Sequence, residues 1–141
     1  MREYTEEADF IIIDDDPLGT LITKRIINLS LPKATVITFA NWKPAIEYFS
    51  RVIAGFPCTK AYMVFLEIHM EFGSGWEFLE AFQNMDAAIR KKVNISILST
   101  ILSDKDLLRA NMYTVINKFI EKPLSSAKFN DVISDTVCIR K

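Results

Sequence analysis

The stretch Phe10-Ile11-Ile12-Ile13-Asp14-Asp15-Asp16-Pro17 (FIIIDDDP) carries most of the information about the fold. Four consecutive apolar residues, three of them β-branched, predict a strand buried on both faces, as in a parallel sheet. The three aspartates end that strand, and a proline in the last position favours the first turn of a helix. The segment therefore predicts a strand, an acidic turn and the start of a helix.

The alternation of strand and helix continues along the chain. Apolar residues recur at three- and four-residue spacing after Pro17, and Pro32 marks the end of that helix. The other predicted strands are 34–40, 62–66, 94–98 and one within 113–120; the other predicted helices are 44–54, 75 to about 85, one capped by Ser103, and 126–139. Five strands alternating with five helices predict an α/β fold, a doubly wound five-stranded parallel sheet with helices on both faces.

The composition fits one globular domain, residues 1–141. Half of the residues are apolar. The 17 Lys and Arg residues and 18 Asp and Glu residues give a net charge of −1, whereas a protein that binds nucleic acid by electrostatic attraction carries an excess of positive charge. Cys58 and Cys138 lie too far apart in sequence to suggest a zinc or disulfide framework. No apolar run approaches the roughly 20 residues of a membrane helix, and the amino terminus lacks the pattern of a signal peptide. We expect a soluble cytoplasmic protein with no direct nucleic-acid or membrane partner.

Polar residues close the predicted strands, at the edge where ligands bind in sheets of this type. Asp14 and Asp15 follow the first strand, Glu67 the third, Ser99 the fourth and Lys122 the fifth. Three converging carboxylates would repel one another, so we expect a cation, and ligands that are all oxygen suit Mg²⁺. An ammonium and a hydroxyl beside it are groups that bind a phosphoryl oxygen.

Together and in this order, these residues resemble the receiver domain of two-component response regulators, over essentially the whole chain. The matching segments are IIIDDDP, FLEIHMEFGSGWEFL, SILST and FIEKPL. The resemblance implies the flavodoxin-like strand order 2-1-3-4-5 and a role in signal transduction rather than catalysis. It implies a sensor histidine kinase or phosphotransfer protein as one partner. Because nothing follows the last helix, we expect a stand-alone receiver whose downstream effector is a separate protein.

The resemblance also assigns a metal site. Asp14, Asp15 and Glu67 would hold Mg²⁺ through their carboxylates, and His69 would add its backbone carbonyl. Asp16, which precedes Pro17, is interpreted instead as the N-cap of the first helix. The imidazole of His69 is expected at the mouth of the site, without a chemical role.

Three further residues receive roles from the resemblance. Ser99 would turn toward a phosphoryl group, Lys122 would pair with it, and Phe119 would be the rotating aromatic of the switch. The bond between Lys122 and Pro123 is a candidate for the cis isomer.

The sequence departs from the family at the phosphoacceptor. Glu67 stands where the family has its phosphorylated aspartate, and Glu71 where its loop has proline. One extra methylene moves the carboxylate by about 1.5 Å, and a misplacement of about 1 Å can cost about 10²-fold in rate. We therefore expect poor or absent phosphorylation. The same reach could bring the carboxylate to Lys122 and Ser99, imitating an acyl phosphate and favouring the active state; an inert pseudo-receiver is equally consistent with the sequence.

A phosphatase of the haloacid-dehalogenase type is the enzymatic alternative. Asp14 and Asp16 have the DxD spacing of that class. In that class a Gly-Thr pair directly follows the second aspartate, whereas here Pro17 and Leu18 come before Gly19-Thr20. No second acidic pair directly follows the lysine, and a cap domain does not fit in the chain. We favour the receiver interpretation.

Two groups of apolar residues have simpler interpretations. Trp76, Phe78, Leu79 and Phe82 recur at helical spacing and predict a buried helix face. A second group could form an exposed partner-binding patch; its members are Leu107, Leu108, Met112 and Tyr113.

Overall fold

The computed structural model describes residues 10–51, 53–55, 61–71, 73–100 and 102–135. Five parallel strands form one sheet in the order β2-β1-β3-β4-β5. The strands are β1 (Phe10–Ile13), β2 (Val36–Phe39), β3 (Tyr62–Leu66), β4 (Val93–Ser99) and β5 (Ile116–Glu121). The predicted fold class and strand order are confirmed.

Six helices accompany the strands in the described part of the chain. They are α1 (Pro17–Ser30), α2 (Trp42–Arg51), α3 (Gly75–Gln83), a short α4 (Ala87–Arg90), α5 (Asp104–Ala110) and α6 (Ser126–Asp135), and a 3₁₀ turn spans Ile53–Gly55. None of the described helices is long and apolar enough to cross a membrane. The prediction did not include α4, and the end of the predicted helix 126–139 lies outside the described residues, as do Cys58 and Cys138.

Successive side chains of a strand point to opposite faces of the sheet, so the apolar strands have apolar side chains on both faces. Helices pack on each face and cover them. On one face, Ile11 lies in a buried cluster with Phe49 of α2 and Phe78 of α3, whose rings are 5.8 Å apart. On the other face, Phe10 packs against Phe129 of α6, with ring centroids 5.5 Å apart. The predicted core residues Trp76, Phe78, Leu79 and Phe82 are all buried.

The serines that precede α3 and α5 have different roles. Ser74 precedes α3, but its side chain makes no capping hydrogen bond, and the carboxylate of Glu77 accepts a hydrogen bond from Nε1 of Trp42 at 3.1 Å. At α5, Ser103 is the predicted cap, and Ser103 and Asp106 exchange hydrogen bonds between side chain and backbone. The start of α5 is therefore fixed locally by its own sequence.

Candidate functional site

The site lies at the carboxyl ends of the strands, where the order of strands reverses between β1 and β3. Backbone hydrogen bonds continue past the last strand residues and align the site residues. The N–H of Glu67 donates to the carbonyl of Ile13 at 2.9 Å, and the N–H of Lys122 donates to the carbonyl of Ser99 at 2.8 Å. Side chains from four chain segments are thereby brought to one edge of the sheet.

The ammonium of Lys122 lies between two carboxylates. Its Nζ is 2.6 Å from Oδ2 of Asp14 and 3.0 Å from Oε1 of Glu67. The lysine side chain is only 13% exposed, and both carboxylates are buried. One positive charge therefore neutralises parts of two buried negative ones.

The second carboxylate oxygen of Glu67 accepts two hydrogen bonds. Oε2 accepts a hydrogen bond from Oγ of Ser99 at 2.6 Å and another from the backbone N–H of His69 at 3.0 Å. Ser99 is completely buried at the end of β4. The carboxylate of Glu67 thus connects β3, β4 and, through Lys122, the end of β5.

The three aspartates of the first turn have three different environments. Oδ1 of Asp14 accepts the backbone N–H of Asp16 at 3.0 Å, while Oδ2 of Asp15 accepts the N–H of Glu71 at 2.7 Å. The carboxylate of Asp16 accepts the N–H of Leu18 at 3.2 Å and caps α1, as predicted. Asp16 is exposed, unlike Asp14.

Burial and neighbouring charges shift the pKa values of Asp14 and Lys122. Burial raises the pKa of Asp14, and Glu67 adds to the increase, although hydrogen bonds from Lys122 and from the N–H of Asp16 partly oppose it. For Lys122, burial lowers the pKa, but hydrogen bonds and charge from Asp14 and Glu67 outweigh it and give a net increase. The lysine is therefore firmly protonated at neutral pH, whereas the negative charge around it is only partly compensated.

A comparison with solved structures identifies the fold. A two-component response regulator from Cytophaga hutchinsonii superposes with a TM-score of 0.79 at 20% identity, covering 92% of this chain and 96% of that one. A response regulator receiver protein from Dyadobacter fermentans gives 0.79 at 23%, covering 91% and 96%. The phosphorylated cyanobacterial phytochrome response regulator gives 0.71 at 17%, covering 91% and 90%. This chain has the receiver-domain fold. No family model matches its sequence, and no curated protein matches it either.

The receiver-domain fold raises the question of whether the site can hold Mg²⁺. The carboxylates of Asp14, Asp15 and Glu67 have the right chemistry, since Mg²⁺ prefers oxygen ligands. Among the described residues, however, no three acidic, histidine or cysteine side chains are arranged to share a metal ion. Lys122 already binds Asp14 and Glu67, so a cation and this ammonium compete for the same negative charge.

The receiver resemblance also singled out Phe119, the Lys122–Pro123 bond and His69. Phe119 is on the edge strand β5 and is 37% exposed, so its ring is not buried within the fold. The Lys122–Pro123 peptide bond is cis, as predicted. The imidazole of His69 is exposed and its Nε2 lies 3.1 Å from Oδ2 of Asp106, a contact that the sequence analysis did not anticipate.

The predicted apolar patch forms only in part. Leu107, Leu108 and Met112 are exposed, the last two by 70% and 78%. The prediction was wrong for Tyr113, which is only 8% exposed. Its ring stacks on Trp76 and its hydroxyl donates to Glu80 at 2.7 Å, so it belongs to the interior.

Proposed function

We propose that this chain is a signalling receiver in which the carboxylate of Glu67 sets the state of the switch in place of a phosphoryl group. One observation carries the proposal: Glu67 binds Ser99 and Lys122 at the same time, at 2.6 Å and 3.0 Å. By the receiver resemblance, these are the two residues that would contact a phosphoryl group. The extra methylene of glutamate accounts for this reach.

The same contacts disfavour phosphorylation of Glu67. An attacking carboxylate needs an available lone pair and room for the incoming phosphorus. The two oxygens of Glu67 accept hydrogen bonds from Lys122, Ser99 and the backbone of His69. Each bond stabilises the negative charge and lowers its nucleophilicity, so phosphoryl transfer loses both geometry and driving force.

The proposal has consequences for the partners. A sensor histidine kinase or phosphotransfer protein would transfer no phosphoryl group to Glu67, and a separate effector protein would read a fixed state. The exposed residues Leu107, Leu108 and Met112 are the proposed effector surface. The non-enzymatic role is part of the same proposal, and it is supported by the contacts that Glu67 already makes with Lys122, Ser99 and the backbone of His69.

Mg²⁺ is proposed to bind through Asp14 and Asp15, in competition with Lys122. We expect Lys122→Met to tighten Mg²⁺ binding about tenfold, or about 1.4 kcal/mol, because the variant removes the ammonium that neutralises Asp14. Isothermal titration calorimetry of the folded wild type and variant measures this. Equal or weaker affinity in the variant would contradict the competition.

Intact-mass spectrometry after incubation with a small phosphodonor and Mg²⁺ tests the proposal. We expect no phosphoryl adduct on the wild type and a stoichiometric adduct on Glu67→Asp, whose shorter side chain vacates the space beside Ser99 and Lys122. Fragmentation of the adduct must place the phosphoryl group at position 67.

Two controls complete the experiment. Glu67→Gln keeps the length of the side chain but has no carboxylate, so it should remain unmodified. Glu71→Asp shortens an exposed loop glutamate and should behave like the wild type. A stoichiometric adduct at position 67 of the wild type would refute the proposal.

A further inference from the structure

We infer that His69 couples the carboxylate of Glu67 to helix α5, because this one residue contacts both of them. Its backbone N–H donates to Glu67, and its imidazole contacts Asp106 in the first turn of α5. His69 is therefore a positioning residue for that helix. The role in signalling rests on the proposed function, in which the carboxylate of Glu67 sets the state of the switch.

The backbone of His69 follows the position of the Glu67 carboxylate. Its N–H donates to Oε2 of Glu67 at 3.0 Å, the same oxygen that accepts the hydroxyl of Ser99 at 2.6 Å. A change at residue 67 that removes this oxygen leaves the N–H without its acceptor. The start of the loop after β3 then loses the contact that holds it to the site.

Backbone hydrogen bonds fix the loop on either side of His69. The N–H of Gly75 donates to the carbonyl of Ile68 at 2.8 Å. The N–H of Glu71 donates to Oδ2 of Asp15 at 2.7 Å. Only two residues lie between these two anchors, so a shift of the backbone at His69 also shifts its imidazole.

The imidazole of His69 connects this loop to the cap of α5. Its Nε2 is 3.1 Å from Oδ2 of Asp106. Because an ionised carboxylate can only accept hydrogen bonds, Nε2 is the donor in this pair. The same oxygen accepts the backbone N–H of Ser103 at 3.2 Å and belongs to the capping box that starts the helix. The loop and the cap therefore meet at one oxygen atom.

The two ends of α5 are held differently. Ala110 is the only buried residue among Asp104–Ala110, so little apolar surface fixes the first turn. At the other end, the guanidinium of Arg109 lies 4.6 Å from the centroid of the Trp76 ring, a cation–π distance. Tyr113, just after the helix, stacks on Trp76 with centroids 5.9 Å apart. Loss of the imidazole contact should therefore release the first turn while the last turn stays in place.

Such a release would change the proposed effector surface. Leu107 and Leu108 lie on α5, Met112 directly follows it, and all three side chains are exposed. Leu107 is nearer the released end, whereas Met112 is nearer the end held by Trp76. The position of these side chains relative to one another would therefore depend on residue 67, and an effector that contacts them would detect the difference.

Amide hydrogen exchange in a double-mutant cycle tests this coupling. The reporter is the N–H of Leu107, which donates to the carbonyl of Ser103 across the first turn of α5. Glu67→Met keeps the length of the side chain but removes the acceptor, and His69→Ala removes the imidazole. Each variant should accelerate exchange about fivefold, the effect of about one hydrogen bond. Because both variants break the same connection, the double variant should also exchange only about fivefold faster.

His69→Gln distinguishes the positioning role from a general structural one. The amide of glutamine supplies an N–H donor at a similar distance from Cα as Nε2 of histidine. This variant should exchange within about twofold of the wild type, and adding Glu67→Met to it should again accelerate exchange about fivefold. The comparison of His69→Ala with His69→Gln needs no change at residue 67, so it tests the contact even if Glu67→Met does not fold.

Three controls separate the first turn of α5 from the rest of the molecule. Lys105→Ala alters an exposed residue of α5 outside the contact and should exchange like the wild type. The N–H of Tyr113, bonded to the carbonyl of Ala110, reports the held end of the helix. The N–H of Phe129 in α6 reports unfolding of the whole domain. In His69→Ala, both of these N–H groups should change less than about twofold.

Three results would overturn the inference. Independent effects of the two substitutions would multiply to about 25-fold in the double variant. An unchanged rate at Leu107 in either single variant would show that the connection does not hold α5. Equal acceleration at Leu107 and Phe129 in His69→Ala would show a global effect. A phosphoryl adduct on the wild type would instead refute the proposed function alone, because the exchange cycle needs no phosphodonor.

Discussion

Lys122→Met is expected to lower the free energy of unfolding by about 3–5 kcal/mol, the usual cost of removing one partner from a buried ion pair. The ammonium lies 2.6 Å from Asp14 and 3.0 Å from Glu67, and its removal leaves two buried carboxylates facing each other. Methionine has a similar length and fills much of the same space, so the loss reports charge rather than a cavity. Urea denaturation at neutral pH measures the change.

The pH dependence gives this prediction a sign. In the wild type, the raised pKa of Lys122 means that its stabilisation is complete below the ordinary lysine pKa and is lost as the pH rises through the folded-state value. In the variant, the uncompensated carboxylates favour protonation, so the deficit should shrink as the pH falls through the carboxyl range. Lys105→Met, at an exposed lysine, should change the stability little at any pH. A deficit that does not vary with pH would contradict the electrostatic explanation.

Gly75→Ala is expected to destabilise the protein by about 1–3 kcal/mol. A Cβ at this position would lie 2.6 Å from the carbonyl oxygen of Glu67 and 2.8 Å from Cα of Ile68, both backbone atoms that cannot move aside cheaply. Alanine gains at most about 1 kcal/mol of helix propensity over glycine, which is too little to offset the clash. The loop after β3 must shift, and Glu67 shifts with it.

Gly55→Ala is the matched control, since a Cβ at Gly55 meets no atom within 4 Å. Thermal or urea unfolding of the two variants separates the clash from the general effect of replacing glycine. If Gly75→Ala is as stable as the wild type, α3 approaches the end of β3 less closely than the 2.6 Å and 2.8 Å separations require.

Much of the site could be predicted from the sequence. Asp14, Glu67, Ser99 and Lys122 each follow a predicted strand, and the ends of parallel strands share one edge of a sheet. Alternation of strand and helix is enough to predict that edge, and the reach of a glutamate follows from its covalent length. Position and length therefore predict that the carboxylate of Glu67 can reach Ser99 and Lys122.

Contacts between loops and helix surfaces could not be predicted in this way. His69 and Asp106 are 37 residues apart and meet only because of the loop after β3 and the rotation of α5. The sequence places Tyr113 beside Leu107, Leu108 and Met112 and so predicts that it belongs to the same exposed apolar patch. Its ring is buried because it stacks on Trp76, a contact that the local pattern does not indicate. Helical periodicity shows which face is apolar but not which neighbouring helix covers it.

The most direct test of the central claim is a double-mutant cycle between Glu67 and Ser99, using Glu67→Met, which keeps the length but has no acceptor oxygen, and Ser99→Ala, with urea denaturation. A hydrogen bond from a buried hydroxyl to a carboxylate should give a coupling free energy of about 1.5 kcal/mol. We predict this coupling in the wild-type background, without phosphodonor. Additive effects of the two substitutions would mean that Glu67 does not bind Ser99, and would contradict the role proposed for its carboxylate.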